Sequence, residues 1–204
     1  MNYLSQAGQD KWVADFFHEK RNGYFVDIGA YDGLDISNTY VLEKEFGWTG
    51  VCIEPSIRMF KKLRNNRGCR LVNRAAYNRN EIVNFDDIGV SSLITGAGKH
   101  RVWANTMSAI LIDVNAPLVI DYISLDTEGT EYEVLQGFPF DKYEVILWTV
   151  EHNICYKDKQ HFDLKRNIFS ILTAHHYTRV QEDVLCNGDP QYPFEDWYVN
   201  NKYL

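Results

Sequence analysis

Tyr24-Phe25-Val26-Asp27-Ile28-Gly29-Ala30-Tyr31-Asp32-Gly33 decides the fold of this chain. Five strand-forming residues run into two glycines four apart, the pattern of a buried strand that turns sharply at its carboxyl end. Downstream, 35–46 is expected to form a helix that Gly47 closes. Gly50-Val51-Cys52-Ile53-Glu54 is a second strand, with Pro55 just beyond it. Ser56 is placed to cap a helix carrying Ile57, Phe60 and Leu63 on one face. Arg70-Leu71-Val72-Asn73 is a short third strand.

The alternation pauses at 77–118. There 81–86 and 107–113 look like strands, and the Gly- and Ser-rich stretch between them reads as an irregular insertion able to close over a site. It resumes with Tyr122-Ile123-Ser124-Leu125-Asp126, a short helix between Thr130 and Gly137, and a long apolar strand from Tyr143 to Val150. A helix follows with Leu164, Ile168, Ile171 and Leu172 on one face. Strands at 177–184 and 196–199, around Asn187-Gly188-Asp189-Pro190, form an antiparallel hairpin. Strands alternating with helices imply right-handed crossovers and a doubly wound, mostly parallel α/β sheet with helices on both faces. Ligands of such sheets sit at the carboxyl ends of the strands.

Composition agrees. The 204 residues are 45% hydrophobic and 14% aromatic, which excludes a disordered chain, and their number suits one domain spanning 1–204. No apolar run reaches the roughly 18 residues of a membrane helix. With no basic, apolar leader at its start, the protein is expected in the cytoplasm and away from membranes. Cys52, Cys69, Cys155 and Cys186 lie far apart and form no CxxC pair, so isolated thiols are expected. The window 56–80 holds eight basic residues and no acid, so the remainder carries −15 of the net −7. Such a stripe is either the solvated face of a helix or a footprint for phosphate, and the acidic remainder argues against a protein that coats nucleic acid.

The strand ends carry the chemistry. After the first strand, Tyr31 and Leu34 stand where a dinucleotide fingerprint needs its second and third glycines, so a pyrophosphate fits poorly. Asp27 adds negative charge, which suits a ligand with a cationic or neutral head. Glu54, at the second strand end, is placed to accept from a ribose diol; it is equally an acid favoured before a helix N-terminus. The fourth strand ends in Asp126-Thr127-Glu128-Gly129-Thr130-Glu131 and the fifth in Glu151-His152-Asn153. Neighbouring strand ends lie about 5 Å apart, so Asp126 and Glu151 are expected to share Mg²⁺ or Mn²⁺ with His152 as a third ligand. A carboxyl pair with one raised pKa, or a His paired with a Glu, fits the same pattern. His152, Glu128 and Asp126 are the candidate catalytic groups.

Gly23 to Gly33, with Ser37-Asn38-Thr39 and Leu42-Glu43, resembles the FkbM family of S-adenosylmethionine-dependent methyltransferases. So does Ile120 to Glu131 with Val134-Leu135-Gln136-Gly137. Ser5-Gln6-Ala7-Gly8-Gln9-Asp10 is similar to the family's N-terminal signature, and Val90-Ser91-Ser92-Leu93 to its mid-domain segment. The resemblance implies a class I methyltransferase sheet and O-methylation of a hydroxyl on a sugar, a glycan or a small molecule such as a polyketide. It implies that Asp27, Gly29, Ala30, Tyr31 and Gly33 surround the methionine part of S-adenosylmethionine. It places Glu54 and Pro55 at the ribose, Asn73 to Ala75 at the adenine, and Gln6, Gln9 and Asn38 toward the carboxylate end. A glycan acceptor implies a glycosyltransferase, fused to this chain or acting beside it. The competing readings are an RNA ribose or cap methyltransferase using the basic stripe, an NAD-linked oxidoreductase, and a non-catalytic partner module.

Overall fold

The computed structural model describes residues 2–88 and 93–204. Its elements run α1 (Gln9–Phe16), β1 (Tyr24–Ile28), α2 (Tyr40–Lys44), β2 (Thr49–Ile53), α3 (Ile57–Asn66), β3 (Arg70–Val72), β4 (Ala75–Ala76), β5 (Glu81–Asp86), β6 (Leu93–Ile94), β7 (His100–Asn105), α4 (Met107–Asp113), β8 (Val119–Leu125), α5 (Glu131–Gln136), β9 (Glu144–Glu151), α6 (Lys159–Ala174), β10 (Tyr177–Leu185) and β11 (Pro193–Asn200). Seven strands form the main sheet in the order β10-β11-β9-β8-β1-β2-β3. From β3 to β9 all neighbours are parallel, while β11 runs antiparallel to both β9 and β10. The doubly wound sheet with its terminal hairpin is therefore the observed fold.

Alternate strand residues feed two cores. Val26, Ile28, Val51, Ile53 and Ile123 pack under α4, α5 and α6, against Ile110, Leu135, Ile168 and Leu172. Phe25, Cys52, Tyr122 and Leu147 face the other way, against Val13, Val41, Leu42 and Leu63 of α1 to α3. On α3, Ser56 Oγ accepts from Met59 N as the capping argument requires. Its buried face is Met59 and Leu63, however, and Ile57 is exposed.

Three local expectations are corrected. The helix expected over 35–46 is only Tyr40–Lys44, because Asp32 Oδ1 accepts from Leu34 N and Asp35 N and so holds the preceding residues in a turn. Residues 107–113 form helix α4, not a strand. Met107, Ile110 and Leu111 are buried at helical spacing, and Thr106 Oγ1 caps the first turn by accepting from Ala109 N. Residues 77–118 are largely regular: β4, β7, β5 and β6 form a second sheet in that order, packed on Ala75, Val83 and Ala104. Of the segment expected to close over the site, 89–92 lie outside the described residues, as do Val90, Ser91 and Ser92 of the family-like segment. Trp103, at its far end, is exposed on β7. Among the described residues, no helix is long and apolar enough to cross a membrane.

Candidate active site

The order of strands reverses around β1, which has β2 on one side and β8 on the other. A cavity of about 280 Å³ opens there, at the carboxyl ends of β1, β2, β8 and β9. Gly29 forms its floor. Its φ is +87°, and a Cβ at this position would lie 1.7 Å from the Asp126 carbonyl oxygen, so only glycine closes the seam between β1 and β8. Gly29 N and Ala30 N donate to Ile53 O at 3.0 and 3.1 Å, which folds the turn back over β2.

Of the residues expected around the cofactor, Asp27, Gly29, Ala30, Tyr31, Asn38, Glu54, Pro55 and Ala75 line the cavity, and so does Gln6. Gln9 and Gly33 do not. Gln9 is buried on α1, where its Oε1 accepts from Ala7 N at 2.9 Å. Gly33 serves packing: a Cβ there would meet Leu63 Cδ1 at 2.4 Å and Arg67 Cγ at 2.7 Å. Gln6 is held over the site by its backbone, whose carbonyl accepts from Asn187 N. Asn73 braces the Glu54 end of the cavity from outside, its Nδ2 donating to Glu54 O at 2.8 Å.

The acids differ in their partners. Asp27 is buried, which pushes its carboxyl up; Arg67, and the Thr39 hydroxyl donating to its Oδ2 at 2.5 Å, hold it back. Glu54 is also buried and pushed up to about 8, even though Oε1 accepts from Ser56 N at 2.7 Å and Oε2 from Tyr31 N at 3.0 Å. Each oxygen keeps acceptor capacity toward the cavity. Across the seam, Leu125 pairs with Val150 in register, which sets Asp126 beside Glu151. Burial raises Asp126 to about 6. It drives Glu151 well above its ordinary value, and the Asp126 charge adds to this. Glu128, at a φ of +59°, is pushed up to about 8 by burial and by the charges of Asp126 and Glu131. Oε2 of Glu151 is buried without a hydrogen-bond partner, and so is Oδ1 of Asn38. Among the described residues the cavity lining includes six acids and no Lys, Arg or His. None of the eight basic residues of the stripe reaches it.

His152 does not join Asp126 and Glu151, contrary to expectation. Successive strand residues project to opposite faces, so a strand that delivers Glu151 to the cavity turns His152 away from it. His152 is buried behind the site, with Nε2 3.2 Å from Asp196 Oδ1 and 3.7 Å from Asp183 Oδ1. Burial pushes Asp196 up, but hydrogen bonds from His152, Asp183 N and Arg179 outweigh it and hold the acid at about 2. The residue whose carboxylate approaches the Asp126–Glu151 pair is Glu131, with one oxygen from each of the three lying within 4.8 Å of the others. Glu131 is already committed to the loop: Oε1 accepts from Thr127 N at 2.7 Å and Thr127 Oγ1 at 2.9 Å, and Oε2 from Gly129 N at 3.1 Å.

Sequence reasoning missed Ser124, Phe85, Asn153 and Tyr156, which also line the cavity. Ser124 was within reach, because it lies beside Asp27 in register and on the same face, where its Oγ accepts from Asn38 Nδ2 at 2.9 Å. Phe85 comes from the second sheet, which carried no such signal.

The family model "Methyltransferase FkbM domain" matches residues 27–178. No curated protein matches the chain. Among solved structures, the methyltransferase FkbM from Methylobacillus flagellatus KT is similar at 15% identity and a TM-score of 0.57, covering 89% of this chain and 44% of that one. This chain thus spans less than half the length of that relative. The cofactor-bound Rv0187 from MTB is similar at 10% identity and a TM-score of 0.61, over 98% of this chain and 83% of that one. The O-methyltransferase TomG from Streptomyces achromogenes, solved with SAM, is similar at 10% identity and a TM-score of 0.58, over 95% and 80%. At these identities the likeness is one of fold.

Proposed function

The chain belongs to the FkbM methyltransferase domain family, and on that premise we propose that it methylates a hydroxyl of a sugar, glycan or small molecule with S-adenosylmethionine and a divalent cation. One observation carries this reading: an acid-lined cavity without a basic side chain, at the reversal point of the sheet, suits a cationic nucleoside. The two partnerless buried oxygens, on Asn38 and Glu151, fit groups that bind there. Asp27 and Asn38 would face the ammonium and sulfonium end of the cofactor, and Glu54 the ribose diol. When bound, the cofactor supplies a methyl carbon attached to positively charged sulfur.

Asp126 and Glu151 would hold a divalent cation, whose Lewis acidity makes an acceptor hydroxyl easier to deprotonate. Glu128 sits at the rim on the same side, and we assign it as the base that takes the hydroxyl proton. Burial has made its carboxylate a stronger base than an ordinary glutamate. Glu128 would thus keep the acceptor's proton while the hydroxyl oxygen is held facing the end of the cavity where a bound cofactor would present its methyl group. Tyr156, exposed at the rim, offers a ring face to a sugar. Binding, orientation and removal of one proton are the work of the chain itself.

Calorimetric titration with S-adenosylmethionine tests the cofactor, with a single binding site expected. Transfer of labelled methyl to a panel of neutral glycosides tests the acceptor. Chelation followed by Mn²⁺ or Mg²⁺ tests the cation: turnover is expected to fall and return, and turnover indifferent to chelation removes the ion from the proposal. The basic-stripe and nicotinamide readings draw no support from the cavity.

A further inference from the structure

Arg67 belongs by sequence to the basic stripe, yet its side chain is 0% exposed. It sits at the C-terminal end of α3, and Gly33 admits it by having no Cβ to meet its methylenes. From there the guanidinium reaches under 33–39, the segment that brings Asp35, Ile36, Ser37 and Asn38 to the cavity. Nε donates to Glu43 Oε2 at 2.7 Å, NH1 to Ser37 Oγ at 3.3 Å and to Gly33 O at 3.4 Å, and NH2 to Thr39 Oγ1 at 2.9 Å. Thr39 Oγ1 passes its own hydrogen to Asp27 Oδ2 at 2.5 Å. The rings of Phe25 and Tyr40 lie 5.2 and 5.9 Å from the guanidinium carbon.

We infer that Arg67 is a positioning residue for the cofactor: through Thr39 it orients the Asp27 carboxylate, and through Ser37 and Gly33 it holds the cavity-lining segment that carries Asn38. The inference rests on the cofactor reading above. Arg67 touches the cavity nowhere itself. It spreads its donors in a fixed fork over three groups of the 33–39 segment and Glu43 of α2, which a lysine's single ammonium does not reproduce. It also places its positive charge on the side of Asp27 away from the cavity, so the carboxylate keeps acceptor capacity toward a bound ammonium.

The test measures S-adenosylmethionine affinity by calorimetry, together with melting temperature and kcat, for the wild type, Arg67→Lys, Arg67→Met and Thr39→Val. If the segment leaves its binding-competent arrangement nine-tenths of the time, apparent affinity falls about tenfold, with kcat at saturation nearly unchanged. That loss is expected for Arg67→Met, with Arg67→Lys and Thr39→Val between it and the wild type. Thr39→Val removes one hydroxyl and keeps the shape of the side chain, so it answers the question should Arg67→Met fail to fold. A purely structural arginine would lower the melting temperature and leave the affinity of the folded fraction alone. Thr39→Val and Arg67→Lys binding as tightly as the wild type would overturn the inference. A wild type that takes up no S-adenosylmethionine sinks the cofactor reading, and this inference with it.

Discussion

Asp27 on one side of the β1–β8 seam and the Asp126–Glu151 pair on the other are acids lining one cavity, yet they are balanced differently. Asp27 has Arg67 and Thr39 beneath it. Among the described residues, the charges acting most on Asp126 and Glu151 are those of other acids, and one Glu151 oxygen has no hydrogen-bond partner. A carboxylate that the protein itself compensates is built to orient something. A pair left uncompensated in a buried site is costly unless protons or a bound cation make up the charge. In the proposed reaction the first side would hold the cofactor, and the second would carry the cation and the proton transfer.

The largest expected effect lies on the uncompensated side. Glu128→Gln keeps the shape and removes the base, and turnover should fall by about 10²–10⁴ with cofactor affinity nearly unchanged. Single-turnover methyl transfer measures it, and a variant as fast as the wild type would return the proton-transfer role to Asp126. Next comes the seam. Gly29→Ala drives a methyl into the Asp126 carbonyl, and urea unfolding should show a loss of about 3 kcal/mol. Stability equal to the wild type would mean that the two sides are less tightly joined than the contact implies.

On the compensated side, Glu54→Gln replaces one of the two acceptor oxygens facing the cavity with an NH2 group, and S-adenosylmethionine should bind about tenfold more weakly by calorimetry. His152→Gln probes the residue behind the site. It should cost about 1–2 kcal/mol in thermal unfolding through its Asp196 contact, with kcat changed less than about threefold. A collapse of kcat with intact stability would restore His152 to the reaction.

The smallest effect is a pH slope. Glu54 and Glu195 are raised to about 8 chiefly by burial, Glu195 with Trp197 Nε1 donating to its Oε1 at 2.5 Å. An acid whose pKa is higher folded than unfolded stabilises the fold while protonated. That contribution is complete below about 4.5 and is lost as pH rises through about 8. Asp196, lowered to about 2, acts oppositely but only in strong acid. The ligand-free protein should therefore melt a few degrees lower at pH 9 than at pH 6. Glu54→Gln should flatten the slope, and an unchanged slope would acquit Glu54.

Local pattern made much of this legible. The run Tyr24–Ile28 followed by Gly29, the acid at Glu54, and Asp126 beside Glu151 all follow from strand period and parallel pairing. What was lost was lost for physical reasons. His152 was grouped with its sequence neighbour, although a strand separates neighbours onto two faces. Arg67 was counted with the exposed bases because its partners, Glu43 and Thr39, lie 24 and 28 residues away. Met107, Ile110 and Leu111 carry a helical period that an apolar heptapeptide disguises as a strand. The second sheet depends on pairings such as Ile82 with Trp103, which no local window contains.

The missing Cβ at Gly29 has a mechanical consequence. With the carbonyl of Asp126 occupying that space, the two halves of the cavity floor share a rigid weld, and neither half can tilt without the other. With the floor fixed in this way, ligand exchange would depend on the rim, where Gln6 and Tyr156 stand.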